Sequence, residues 1–195
     1  MHEEVGIFFD RDGTINVELD YISDPDKLEL VPGAAKAIRE ANEFGVKVFV
    51  ITNQSGVARG LYTEHDVEAV HTRLRKTLAD HGAHLDAIYY CPHHPEYGTP
   101  AYRKVCTCRK PKTGMLQEAR KSFRIDLSKS YVVGDKCTDI EAGRTAHCGT
   151  VLVLTGYGAA EAEDCGKAGG ADHVAKDIYA AWHYIRKNID RTQQR

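Results

Sequence analysis

An apolar run over residues 5–9, VGIFF, stops abruptly at Asp10, and the chain continues Arg11, Asp12, Gly13, Thr14. A short apolar run closed by a glycine turn is the pattern of a buried strand. In extended backbone, residues two apart point the same way, so Asp10 and Asp12 are expected together at the strand's carboxyl end. Open α/β sheets bind their ligands at that end. Two adjacent carboxylates there suit a bound cation, a nucleophile with an acid/base partner, or both.

The rest of the chain alternates strand and helix. Pro32-Gly33 opens a helix over 34–42, proline suiting a first helical turn, and Gly45 ends it. Residues 46–51 are almost continuously apolar, as in a strand buried on both faces. Thr63, with Asp66 three residues on, caps a helix running to about 81, with Val67, Val70, Leu74 and Leu78 at helical spacing. Further strands are expected at 87–90, 131–133 and 151–154, and helices at 114–123, 139–146 and 178–189. The last carries Ile178, Ala181, Trp182, Ile185 and Ile189 on one face, a stripe read as core packing. This βαβα order predicts an α/β fold, a doubly wound parallel sheet covered by helices on both sides, in one domain over 1–195. No insert is large enough to form a separate cap domain, so the loops at 17–30, 53–62 and 91–111 are expected to cover the site. The irregular stretch 91–111 is long enough to be functional by default.

Composition removes several classes. Lysine and arginine number 26 against 28 acidic residues, a net charge of −2 that argues against a general nucleic-acid binder. No apolar run approaches the roughly 20 residues of a membrane span. The opening MHEE is acidic and runs straight into the first strand, unlike a signal peptide, so a cytoplasmic location is expected. Six cysteines in such a chain are expected to be free or metal-bound, not disulfide-linked, and Cys137, Cys148 and Cys165 to be ordinary thiols. No spare apolar helix face stands out, and the protein is expected to be a monomer.

Each expected strand end carries a reactive group. The second ends in Thr52, Asn53, Gln54 and Ser55; a later one ends in Gly134-Asp135, with Asp139 four residues on; ahead of it stand Arg109, Lys110 and Lys112. A strand-end hydroxyl, a lysine and a third carboxylate are the parts that hold a phosphoryl group beside Mg²⁺. D-x-D-G-T, a strand ending in T-N, K-P and G-D-x-x-x-D, in this order over 10–139, resemble the haloacid dehalogenase (HAD) superfamily of phosphatases. The resemblance implies a Rossmann-like, HAD-type sheet. It implies that Asp10 forms an aspartyl-phosphate and that Asp12 protonates the leaving alkoxide and then deprotonates water. It also implies Mg²⁺ on the Asp10 carboxylate, the Asp12 main-chain carbonyl and Asp135, with Thr52 and Lys110 stabilising the phosphoryl group. Asp139 is expected to support the metal indirectly or to orient Lys136.

The loop 91–108 reads CPHHPEYGTPAYRKVCTC. Three sulfurs and one imidazole make a closed tetrahedral Zn²⁺ site, with Cys91, Cys106, Cys108 and either His93 or His94 as candidate ligands. A closed site leaves no place for water, so this metal is expected to be structural. CPHHP, a gap and C-x-CRKP resemble a zinc-loop subgroup of the same superfamily, whose members hydrolyse heptose 1,7-bisphosphate or histidinol phosphate. That resemblance implies His93 as the ligand and removal of the C7 phosphate of a heptose 1,7-bisphosphate, with histidinol phosphate as the alternative substrate and a non-catalytic zinc-binding scaffold as a remote alternative. Lys112-Thr113 departs from the His-Pro expected in many heptose enzymes. A small sugar bisphosphate is the expected partner. Its contacts are Asp10, Arg11, Asp12, Glu18, Leu19, Asp20, Tyr21, Thr52, Asn53, Gln54, Ser55, Arg109, Lys110 and Lys136. Arg109 is the candidate reader of the second phosphate or of the neighbouring hydroxyls, because a guanidinium fork suits phosphate oxygens.

Overall fold

The structure, a computed structural model, describes residues 3–167 and 169–193. Its elements run β1 (Gly6–Phe9), α1 (Ala34–Glu43), β2 (Lys47–Asn53), α2 (Glu64–Ala79), β3 (Ala87–Cys91), α3 (Gly114–Phe123), β4 (Tyr131–Gly134), α4 (Cys137–Thr145), β5 (Gly149–Val153), α5 (Gly158–Lys167), β6 (His173–Ala175) and α6 (Ile178–Gln193). The strands form one parallel sheet in the order β3-β2-β1-β4-β5-β6. This is the doubly wound order, and it reverses direction between β1 and β4, where such sheets bind ligands.

Alternation along the strands splits the core into two layers. Ile7, Phe9, Val48, Val50, Val133 and Val151 face α1, α2 and α6, including Ile38, Leu74 and Trp182. Phe8, Phe49, Ile51 and Val132 face the other way, onto Met115, Leu116 and Ala119 of α3 and Ala142 of α4. Phe8 and Phe49 sit in register and stack with centroids 4.9 Å apart. Trp182 is fully buried and its indole N–H donates to Glu40 Oε2 at 3.0 Å, so the stripe on α6 is core. The Thr63–Asp66 capping box opens α2, a cap worth about 1 kcal/mol.

Two elements escape the sequence reading. The helix α5 and the three-residue β6 follow β5, and β6 completes the sheet edge. The helix α4 starts two residues before the expected point, because the Asp139 carboxylate accepts from the Lys136 N–H at 3.1 Å and so caps the first turn. One expectation is overturned. Cys137 at the start of α4 and Cys165 on α5 are paired as a disulfide, their Cα atoms 5.2 Å apart, within bridging range. Redox compartment says nothing about which thiols the fold juxtaposes, and the contact between α4 and α5 juxtaposes these two. Cys148 is buried and free.

Beneath the sheet's ligand end, α2 buries His71 against Tyr90 in an edge-on contact at 5.5 Å, with Nε2 unpartnered. Burial, aided by the Arg11 charge, holds this imidazole neutral down to about 3. The unfolded chain takes up that proton near 6.5, so it binds more protons than the native state as pH falls through this window. Stability is therefore lost on acidification from 6.5 towards 3. We expect His71→Leu to remove about 3 kcal/mol of the loss between pH 6.5 and 4. Urea unfolding of both proteins at the two pH values measures it, and parallel pH dependences would refute it.

Candidate active site and metal centre

A cavity of ≈ 350 Å³ opens at the carboxyl ends of the central strands. Asp10 and Asp12 enter from the end of β1, and Glu18, Asp20 and Tyr21 from the loop behind them. Thr52, Asn53, Gln54 and Ser55 come from the end of β2, Arg109 and Lys110 from the loop before α3, and Lys136 from the start of α4. Arg11 and Leu19 do not line it. The Arg11 side chain is buried behind Asp12, and Leu19 is exposed. Tyr62, Thr138 and Tyr157 line the cavity and were not singled out from sequence. A signal for Tyr157 was available in T-G-Y-G, a glycine turn just past a strand end.

Lys110 is the hub of the buried half. Its Nζ donates to Asp10 Oδ1 and to the Ile51 carbonyl, each at 2.8 Å, and pairs with Asp139. Asn53 fixes the lysine's main chain from both sides, accepting from its N–H at 3.0 Å and donating to its carbonyl at 3.1 Å. Asp139 thus holds both Lys110 and the Lys136 main chain. Asp12 sits in a different shell. Its carboxylate accepts from the Arg11 guanidinium at 2.8 Å, Asn16 Nδ2 at 3.0 Å and Gln54 Nε2 at 3.0 Å. Burial alone would raise the Asp12 pKa, but the Arg11 charge and these donors outweigh it and keep the group ionised. Gln54 Nε2 also donates to Thr52 Oγ1 at 2.8 Å, joining the two strand ends.

A second cluster stands on the 91–108 loop. The three sulfurs of Cys91, Cys106 and Cys108 lie 3.1–3.5 Å apart, and His93 Nδ1 is 3.7 Å from Cys91 and 3.4 Å from Cys108. One soft-donor metal ion could join all four. His94 is turned elsewhere, its Nδ1 accepting from the main-chain N–H groups of Glu96 and Tyr97. The cluster grips the catalytic side of the loop, because Arg109 follows Cys108 and its Nη1 donates to the His93 carbonyl at 3.2 Å.

A HAD-hydrolase-like family model matches residues 107–181, which carry Lys110, Asp135 and Asp139. The D-glycero-beta-D-manno-heptose-1,7-bisphosphate 7-phosphatase of Escherichia coli K12 is 48% identical over 151 residues, covering 77% of this chain and 79% of its own. The chain belongs to the heptose-bisphosphate phosphatase family of HAD-type hydrolases. The Yersinia pestis member is 44% identical over the same length of chain. A solved structure, the D,D-heptose 1,7-bisphosphate phosphatase from B. bronchiseptica complexed with magnesium and phosphate, superposes with a TM-score of 0.83 at 32% identity. That match covers 94% of this chain and 99% of the other.

HAD-type phosphatases generally use Mg²⁺, and the donor set of this family member fits a hard divalent cation. Oxygens of Asp10, Asp135 and Asp139 converge within 4.8 Å. Asp135 is fully buried, its Oδ1 has no hydrogen-bond partner, and its Oδ2 accepts from the Tyr157 N–H at 2.8 Å. Burial and the neighbouring Asp10 charge push Asp135 up to about 8. Burial pushes Asp139 up to about 6 in spite of Lys110. A crowded carboxylate with an orphaned oxygen is stabilised by a cation placed against it. Gly13 allows this crowding, since it has a φ of 82° and any Cβ there would overlap the Asp135 carboxylate. Among the described residues no helix is long and apolar enough to cross a membrane.

Proposed function

We propose that this phosphatase removes the C7 phosphate of a D-glycero-D-manno-heptose 1,7-bisphosphate, releasing heptose 1-phosphate and inorganic phosphate. The carrying observation is the buried Asp10–Lys110–Asp139 constellation beside Asp12 in a polar cavity at the sheet's switch point. Its relatives' names supply the sugar and favour the β anomer. A role in making activated heptose for a surface glycan follows from that substrate.

An Asp10 carboxylate oxygen attacks phosphorus, and the bond from phosphorus to the sugar oxygen breaks as the new O–P bond forms. Asp12 gives its proton to the departing alkoxide. Arg11 keeps Asp12 ionised in the resting site, and the incoming phosphoryl dianion supplies the opposing push that lets it take up a proton. Water then attacks the aspartyl-phosphate, Asp12 accepts its proton, and phosphate leaves with Asp10 regenerated. Lys110 and Thr52 offset charge on the phosphoryl oxygens throughout. Asp10, Asp135 and the Asp12 main-chain carbonyl would hold Mg²⁺, which when bound supplies further charge neutralisation there. Cys91, His93, Cys106 and Cys108 would hold a structural Zn²⁺. Arg109, which lines the same cavity, reads the second phosphate.

Phosphate release with Mg²⁺ tests the assignment, using both anomers of heptose 1,7-bisphosphate and histidinol phosphate at equal concentration. We expect at least a roughly 100-fold preference in kcat/KM for a heptose bisphosphate, about 3 kcal/mol of transition-state discrimination, with the β anomer faster. A preference for histidinol phosphate would overturn the substrate and the role of Arg109 while leaving the nucleophile in place.

A further inference from the structure

The segment after β5 is tied into the site at three points. Thr155 Oγ1 donates to the Gly13 carbonyl at 2.6 Å, the Tyr157 N–H donates to Asp135 Oδ2 at 2.8 Å, and the Tyr157 hydroxyl donates to Asp20 Oδ1 at 2.6 Å. The face of the Tyr157 ring also lies 4.5 Å from Lys136 Nζ, whose ammonium pairs with Glu18 at 3.1 Å. Across the cavity mouth, Asp20 and Tyr21 are consecutive non-glycine residues with left-handed φ values of 45° and 64°. Each such residue costs of order 1 kcal/mol and persists only where its surroundings hold it. The Asp20 N–H also donates to Glu18 Oε1 at 3.0 Å, a tie within the loop. Among the described residues, the bond to Tyr157 fastens Asp20 to the sheet side of the site.

We propose that Tyr157 is a positioning residue that latches the loop 18–21 over the cavity through Asp20, and so sets selectivity for the sugar part of the substrate. The inference rests on the phosphatase reading above. The latched loop presents Glu18 and Asp20, two carboxylates that accept hydrogen bonds from sugar hydroxyls, with Tyr21 at the mouth. The reacting phosphoryl group is gripped from the other wall by Asp10, Thr52 and Lys110. Loosening the latch therefore weakens sugar binding more than the chemical step.

Tyr157→Phe removes one hydroxyl while keeping the ring under Lys136 and the N–H on Asp135. Losing one hydrogen bond to a charged group is expected to raise KM for the heptose bisphosphate about fivefold or more. It should lower kcat less than KM rises, and reduce the ratio of kcat/KM for the sugar bisphosphate over p-nitrophenyl phosphate. Asp20→Ala removes the carboxylate as well as the latch and should raise KM at least as much, and adding Tyr157→Phe to it should cost nothing further, as for two halves of one contact. Amide hydrogen exchange at residues 18–22 should speed up about tenfold in either single variant. An unchanged exchange rate there, or effects that add in the double variant, would overturn the latch. Exchange reads the loop without turnover, so a parent protein releasing no phosphate from any substrate would refute the phosphatase reading by a separate observation.

Discussion

Asp10→Asn is expected to lower kcat for phosphate release by about 10⁴-fold or more while leaving the protein folded. An amide oxygen is a poor nucleophile, and no aspartyl-phosphate can form on it. The substitution is otherwise small. Asparagine keeps the side chain's shape and an acceptor for Lys110 Nζ, now 2.8 Å from Asp10 Oδ1. Lys110 retains Asp139 as a charged partner, so the change does not strand a buried cation. It also removes one of the charges that push Asp135 up, so the crowded acidic group becomes easier to ionise. The unfolding midpoint should therefore fall little or even rise, which separates lost chemistry from lost structure. Rapid-mix acid quench with labelled substrate should trap phosphoryl-protein in the parent and none in the variant. Residual kcat within tenfold of the parent would exclude Asp10 as nucleophile and point to direct attack by water.

Most of this site was legible because parallel sheets gather strand ends. Asp10, Thr52 and Asp135 stand over forty residues apart in sequence, yet each ends an apolar run, and adjacent strands bring them to one cavity or its floor. Two-residue periodicity puts Asp10 and Asp12 on one cavity but does not give them the same partners. The turn at Gly13 directs the Asp12 carboxylate to Arg11, Asn16 and Gln54, while Asp10 faces Lys110. Arg11, read as a substrate contact, proved to be the buried counter-ion of Asp12. An arginine beside two aspartates looks the same in a sequence whether it faces a ligand or a neighbour. The missed elements share a cause. The strand β6 has three residues with Val174 half exposed, and α5 buries only Gly158 and Cys165, so neither writes a periodic apolar pattern. The Cys137–Cys165 bridge was invisible for a related reason, since its partners belong to α4 and that unpatterned helix. Tyr157 meets Asp135 and Asp20 through one main-chain N–H and one hydroxyl, neither of which has a sequence signature beyond the turn that carries them.

With Mg²⁺ supplied, stripping the Zn²⁺ proposed for the cysteine cluster is expected to lower kcat/KM by about 10- to 100-fold, although the cluster touches no reacting atom. The route runs through main chain. Cys91 ends β3 and is fixed by the sheet, whereas Cys106 and Cys108 belong to a loop without regular structure. A metal held by Cys91, His93, Cys106 and Cys108 would fasten that loop to the strand one residue before Arg109 and two before Lys110. Without it, Lys110 still has Asn53 and the carboxylates, but Arg109 has lost the fixed His93 carbonyl on which its guanidinium rests. A misplacement of about 1 Å in a positioning group can cost on the order of 100-fold. The loss should fall more on KM for the bisphosphate than on kcat if, as proposed, Arg109 reads the distal phosphate and Lys110 the reacting one. Cys108→Ser should reproduce it. The sheet should stay folded, since the two main core layers are built chiefly from the strands and their helices, and among the described residues the loop brings Cys108 alone to their edge. Elemental analysis must confirm that the cluster metal has gone and Mg²⁺ remains. Full activity under those conditions would show that the protein contacts alone hold Arg109 and Lys110, and the cluster would then have no part in catalysis.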